Sequence, residues 1–99
     1  MSSFKDIIKG ETPVLVDFYA TWCGPCQTMM PIIDEVKSAM GENVRVLKVD
    51  VDKNHEAAAK YKVRSVPTLL LFKKGEIVYR GAGLHSRNDL ISLIEKHSN

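Results

Sequence analysis

The segment Val14-Leu15-Val16-Asp17-Phe18-Tyr19-Ala20-Thr21-Trp22-Cys23-Gly24-Pro25-Cys26-Gln27 passes from a β-branched and aromatic run into two cysteines separated only by Gly and Pro. Its first part, Val14 to Tyr19, is short, apolar and bounded by Pro13, which predicts a buried strand. From about Cys23 the period changes: Cys26, Met29, Met30, Ile33 and Met40 recur along one face of a helix. Pro31 falls inside that pattern and is expected to kink the helix against the carbonyl of Gln27. A Cys-x-x-Cys pair where a strand gives way to a helix is the sequence cue for redox chemistry.

Working outward, Ser3 with Asp6 marks a helix start, with Phe4, Ile7 and Ile8 as its apolar stripe; Gly10 and Pro13 end it. Beyond the long helix, Gly41-Glu42-Asn43 is a break and Val44 to Asp50 predicts a second strand. Asn54 is placed to cap a short helix over His55 to Tyr61. Pro67 precedes a third strand, Thr68 to Phe72; Lys73-Lys74-Gly75-Glu76 predicts a hairpin turn with Gly75 at positive φ, and Ile77 to Arg80 a returning strand. Ser86 and Asp89 cap a last helix whose Leu90, Leu93 and Ile94 face inward. The order α-β-α-β-α-β-β-α predicts an α/β fold in which a right-handed crossover pairs the first two strands in parallel, the hairpin adds antiparallel strands, and helices cover both faces.

A length of 99 residues, with 44% hydrophobic and 26% charged residues, suits one domain spanning residues 1–99. The net charge is +2, and the mildly basic stretch of Lys60, Lys62, Arg64, Lys73 and Lys74 has no interleaved aromatics, so no nucleic-acid partner is expected. No apolar run reaches the length of a membrane span, and the N-terminus lacks a charged leader followed by an apolar block. A cytoplasmic location and a monomer are expected, and in the cytoplasm a lasting structural disulfide would be unusual.

Three chemistries compete for the cysteine pair. A staple would close a loop so short that the chain-entropy stabilisation is only about 2 kcal/mol. A structural zinc site wants four ligands; there is no second cysteine pair, and His55, His85 and His97 are scattered and expected at the surface. Redox exchange suits the spacing, because side chains three apart on a helix approach closely enough to bond. Unpaired amides at the helix start would stabilise a thiolate on Cys23, while Cys26, a turn deeper on the apolar face, would stay shielded. Asp17, in the middle of an apolar strand, is either a buried acid with a raised pKa or a carboxylate bonded to a strand-end amide or bent toward solvent.

Trp22-Cys23-Gly24-Pro25-Cys26 resembles the active-site signature of the thioredoxin family. The likeness extends over nearly the whole chain: Val14 to Tyr19 is similar to its central strand, Pro31 to its helix proline, Val66-Pro67-Thr68 to its cis-proline loop, and Gly83 to its groove glycine. The resemblance implies a thioredoxin fold whose sheet has four strands in the order 2-1-3-4 with four helices, without the usual N-terminal edge strand. It implies a reductase of protein disulfides with no bound cofactor or metal, recharged by a flavin-dependent thioredoxin reductase. Cys23 would attack, Cys26 would resolve, and Asp17, with Lys48 close by, would assist removal of the Cys26 proton. Trp22, Gly24, Pro25, Val66, Pro67, Ala82 and Gly83 would form the substrate surface. Gln27 departs from the family's frequent lysine and removes a positive charge. Two rivals remain: a binding module with incidental cysteines, and an oxidase or isomerase.

Overall fold

Three of the four described α-helices begin at a residue whose side chain caps them: Ser3, Cys23 and Ser86. The computed structural model describes residues 3–98. Ser3 opens α1 (Phe4–Ile7), its hydroxyl accepting the Asp6 N–H at 3.2 Å. β1 (Val14–Tyr19) leads to α2 (Gly24–Met40), which continues through Pro31. A 3-10 turn, Gly41–Asn43, then precedes β2 (Arg45–Asp50) and α3 (His55–Lys60). The hairpin of β3 (Thr68–Lys73) and β4 (Glu76–Ala82) is followed by α4 (Arg87–Lys96), capped by Ser86 on the Asp89 N–H. The sheet has four strands in the order β2-β1-β3-β4, with β1 parallel to β2 and antiparallel to β3, the arrangement expected from the sequence.

Alternation along β1 builds a core on each face of the sheet. Leu15 joins Met29, Ile33 and Val36 of α2, Leu69 and Leu71 of β3, and Leu90 and Ile94 of α4. Val14, Val16 and Phe18 face the other way, with Leu70, Phe72 and Ile8, and Phe4 and Tyr61 pack around them. Asp17, two residues on from Leu15, shares its face and so looks toward α2, the helix that carries the cysteines. The register sets Lys48, Asp17, Leu69 and Gly81 side by side in one row across the strands.

The departures from expectation are local. β2 starts at Arg45, which pairs with Val14 at the first position of β1 and leaves Val44 before the ladder, and β4 spans Glu76–Ala82 because pairing with β3 carries residues whose own preferences are weak. In the hairpin both Lys74 (φ 54°) and Gly75 (φ 84°) are left-handed, as a tight turn matched to strand twist requires. Asn54 stands at the start of α3 without capping it, and its amide donates instead to the Asp50 carbonyl at 3.0 Å. On α2 the buried stripe includes Val36, whereas Met30 is only half-buried. No described helix is long and apolar enough to cross a membrane.

Candidate active site

Cys23 is the N-cap of α2. Its backbone is still extended (φ −92°, ψ 115°), and its sulfur accepts the N–H of Cys26 at 3.2 Å. An N-cap acceptor at this place is ordinarily an oxygen; here it is a sulfur. Pro25 costs nothing in the first turn, where its missing N–H would have had no helical partner. Cys23 and Cys26 are joined in a disulfide with Cα atoms 5.3 Å apart. Cys26 is fully buried and Cys23 is 5% exposed, among Ala20, Tyr19, Val51 and Val66. Gln27, beyond the pair, donates its side-chain amide to the Thr21 carbonyl at 3.1 Å and so ties down the loop before Cys23.

Asp17 is fully buried, and neither carboxylate oxygen has a hydrogen-bond partner among the described residues. That removes both the amide-bonded and the solvent-facing alternatives. Burial lifts its pKa from 3.8 to about 6, against the opposing pull of the Lys48 charge. The rise is the expected one, although at neutral pH the group is still mostly ionised. Lys48 is the register neighbour of Asp17, yet its ammonium sits 2.9 Å from Asp34 of α2. Lys48 therefore reaches Asp17 through its field and not through a bond.

The surface around the disulfide is mostly backbone. The Val66–Pro67 peptide is cis, and the Val66 carbonyl oxygen lies 3.7 Å from Cys23 Sγ. In the disulfide the sulfur has no hydrogen, so this is a contact and not a bond. Thr68 donates its hydroxyl to the Ser65 carbonyl at 2.7 Å, pinning the loop from beneath. Gly83 (φ 85°) donates its N–H to the Pro67 carbonyl at 2.9 Å, and Ala82 pairs with Thr68. Trp22 is 71% exposed, but its indole N–H is fixed on Asp52 at 2.8 Å. Gly24 and Pro25 are exposed beside it. Thus Trp22, Gly24, Pro25, Val66, Pro67, Ala82 and Gly83 lie in the segments that surround the pair.

The thioredoxin family model matches residues 1–96. The chain belongs to the thioredoxin family. It is 44% identical over 96 residues to a thioredoxin of Rickettsia prowazekii (strain Madrid E), covering 96% of this chain and 91% of that one. A thioredoxin of Bacillus subtilis (strain 168) is 45% identical over 87 residues, 88% of this chain and 84% of its own. Among solved structures, a mutant thioredoxin from Halobacterium salinarum NRC-1 superposes with a TM-score of 0.88 at 40% identity, covering all of this chain and 86% of that one. Family membership and the bonded cysteine pair make this chain a protein-disulfide reductase that works by dithiol–disulfide exchange through a reversible Cys23–Cys26 disulfide.

Sequence reasoning missed Asp52, which orients Trp22 from a loop thirty residues away, and a cleft of about 190 Å³ lined by Trp22, Val51, Val63, Arg64, Ser65 and Val66. Neither has a local signal, because both arise only when β1, β2 and the cis-proline loop converge. Of the three histidines expected at the surface only His55 is exposed; His85 and His97 are half-buried, and His85 is hydrogen-bonded through both ring nitrogens. No group of three or more His, Cys, Asp or Glu side chains able to hold a metal occurs among the described residues.

Proposed function

We propose that Cys23 is the attacking cysteine and Cys26 the resolving one, with Asp17 receiving the Cys26 proton. The Cys23 thiolate adds to one sulfur of a substrate disulfide and displaces the other as a thiolate, giving a mixed disulfide. Cys26 then loses its proton toward Asp17, through a water, and attacks Cys23 Sγ. The second substrate thiolate leaves and the Cys23–Cys26 disulfide remains. The observation that carries this division of labour is the 3.2 Å hydrogen bond from the Cys26 N–H to Cys23 Sγ at the start of α2. The donor and the positive end of the helix favour charge on Cys23, whereas Cys26 is fully buried. Lys48 tunes the basicity of Asp17.

Trp22, Gly24, Pro25, Val66, Pro67, Ala82 and Gly83 receive an extended substrate segment, with the Val66 backbone free to pair with it as an added strand. Contacts made largely to backbone ask little of the substrate's side chains, so the substrate class is broad: disulfide-containing proteins. A thioredoxin reductase restores the dithiol, placing the chain in an electron-transfer relay that maintains thiol balance in the cytoplasm. Residues 1–99 act as one domain and as a monomer.

The test is Cys26→Ser. It should accumulate a covalent adduct with a disulfide substrate on a non-reducing gel, and Cys23→Ser should form none. Absence of the adduct, or its formation by Cys23→Ser, would reverse the roles.

A further inference from the structure

Tyr79, Gly81 and His85 make a connected group that the exchange chemistry leaves unused. Tyr79 and Gly81 follow one another on the face of β4 that looks toward α2 and α4. The Tyr79 hydroxyl lies 2.8 Å from His85 Nε2, and His85 Nδ1 lies 3.0 Å from the Gly83 carbonyl oxygen. A carbonyl only accepts, which assigns the proton of the neutral ring to Nδ1 and leaves Nε2 to accept from Tyr79. The two rings also meet edge to face, with centroids 5.8 Å apart. Gly81 makes the meeting possible: a Cβ there would stand 2.6 Å from His85 Nε2 and crowd the Tyr79 hydroxyl as well.

The backbone of His85 reaches in a different direction. Its N–H points to Met29 Sδ at 3.4 Å, one turn beyond Cys26 on α2. Between these anchors runs the turn from Gly83 to Ser86, whose ends are held by the Gly83 N–H on the Pro67 carbonyl and by Ser86 on the Asp89 N–H. Gly83 is left-handed, and Leu84 is 60% exposed. That turn is the side of the groove facing Pro67, through the Gly83 N–H.

We propose that His85 is a positioning residue for protein substrates: bridging Tyr79, the Gly83 carbonyl and Met29, it holds the Gly83–Ser86 turn in the shape that receives the substrate backbone. A wall fixed before encounter loses less conformational freedom on binding, so the benefit falls on substrate affinity and not on the sulfur chemistry. The proposal rests on the reading of Ala82 and Gly83 as substrate contacts.

Dithiothreitol-driven insulin reduction by the full chain tests it, with KM and kcat measured separately well below each variant's melting temperature. His85→Leu should raise KM about fivefold while kcat changes by less than about twofold. His85→Asn, whose amide can still donate to Gly83, should recover most of that loss, and Tyr79→Phe should fall between the two. An unchanged KM for His85→Leu, or no recovery with Asn, overturns the proposal. Should His85→Leu fail to fold, Tyr79→Phe, which loses only a hydroxyl, decides on the same KM criterion. Ala82→Glu separates the layers of the inference: if it raises KM and the Tyr79 and His85 variants do not, only the positioning role falls. If Ala82→Glu leaves KM unchanged, the groove reading fails and the proposal with it.

Discussion

Asp17 is an ionisable group kept where its charged form is costly. Its pKa is raised from 3.8 to about 6 by burial, so between those values the folded protein holds a proton that the unfolded chain has released. Stability from this group is therefore full below pH 3.8 and is lost as pH rises through about 6. At about 1.4 kcal/mol per unit, the ionised group destabilises the fold by up to about 3 kcal/mol at neutral pH. Asp17→Asn should raise denaturant stability at pH 7.5 by up to that amount, about 3 kcal/mol, with the gain vanishing near pH 4. The same substitution should slow resolution of the mixed disulfide and remove the fall in its rate expected below about pH 6 as Asp17 takes up a proton. Rapid-mixing measurements across that range check both effects. A polar residue in an apolar strand was legible in sequence as an anomaly; whether it lacked partners was not, because that depends on what α2 and the neighbouring strands bring against it.

The helix α2 is where local sequence and chemistry agree most closely. Its start was legible from Cys23-Gly24-Pro25, since a cap, a permissive Gly and an early Pro point to the same boundary. Its end was legible only as a break. What closes it is Lys37, whose ammonium donates to the carbonyls of Gly41 and Val44, both at 2.8 Å, and joins the helix to the start of β2. Lys37→Met should lower stability by about 1 kcal/mol with no change in disulfide exchange, as judged by denaturant melts and insulin reduction. Lys48 shows the opposite limit. The resemblance set it close to Asp17, and the register agrees, but its ammonium goes to Asp34, a neighbour that exists only once α2 lies across the sheet.

At the level of the whole molecule, the sheet divides two apolar cores that the strand alternation had already sorted. Leu71 faces α2 and α4, and Leu70 faces Phe18 and Phe72; both are fully buried. Leu70→Ala and Leu71→Ala should each cost about 2–5 kcal/mol, and both variants should retain exchange activity at temperatures where they stay folded. The parallel pair followed from element order and crossover handedness, whereas the sheet order was implied by the family resemblance alone. The groove did not follow from those rules. Trp22, the Val66–Pro67 loop and Gly83 are far apart in sequence, and hydrogen bonds such as Gly83 N–H to Pro67 bring them together. Before the fold was known, only resemblance placed them side by side.

The sharpest measurement is a pH titration of the reduced protein, following thiolate absorbance or alkylation rate with Cys26 replaced by Ser to isolate Cys23. Donation from the helix start should place the Cys23 transition clearly below the ordinary thiol value of about 8.5. A transition at or above that value would contradict the assignment of Cys23 as the attacking sulfur.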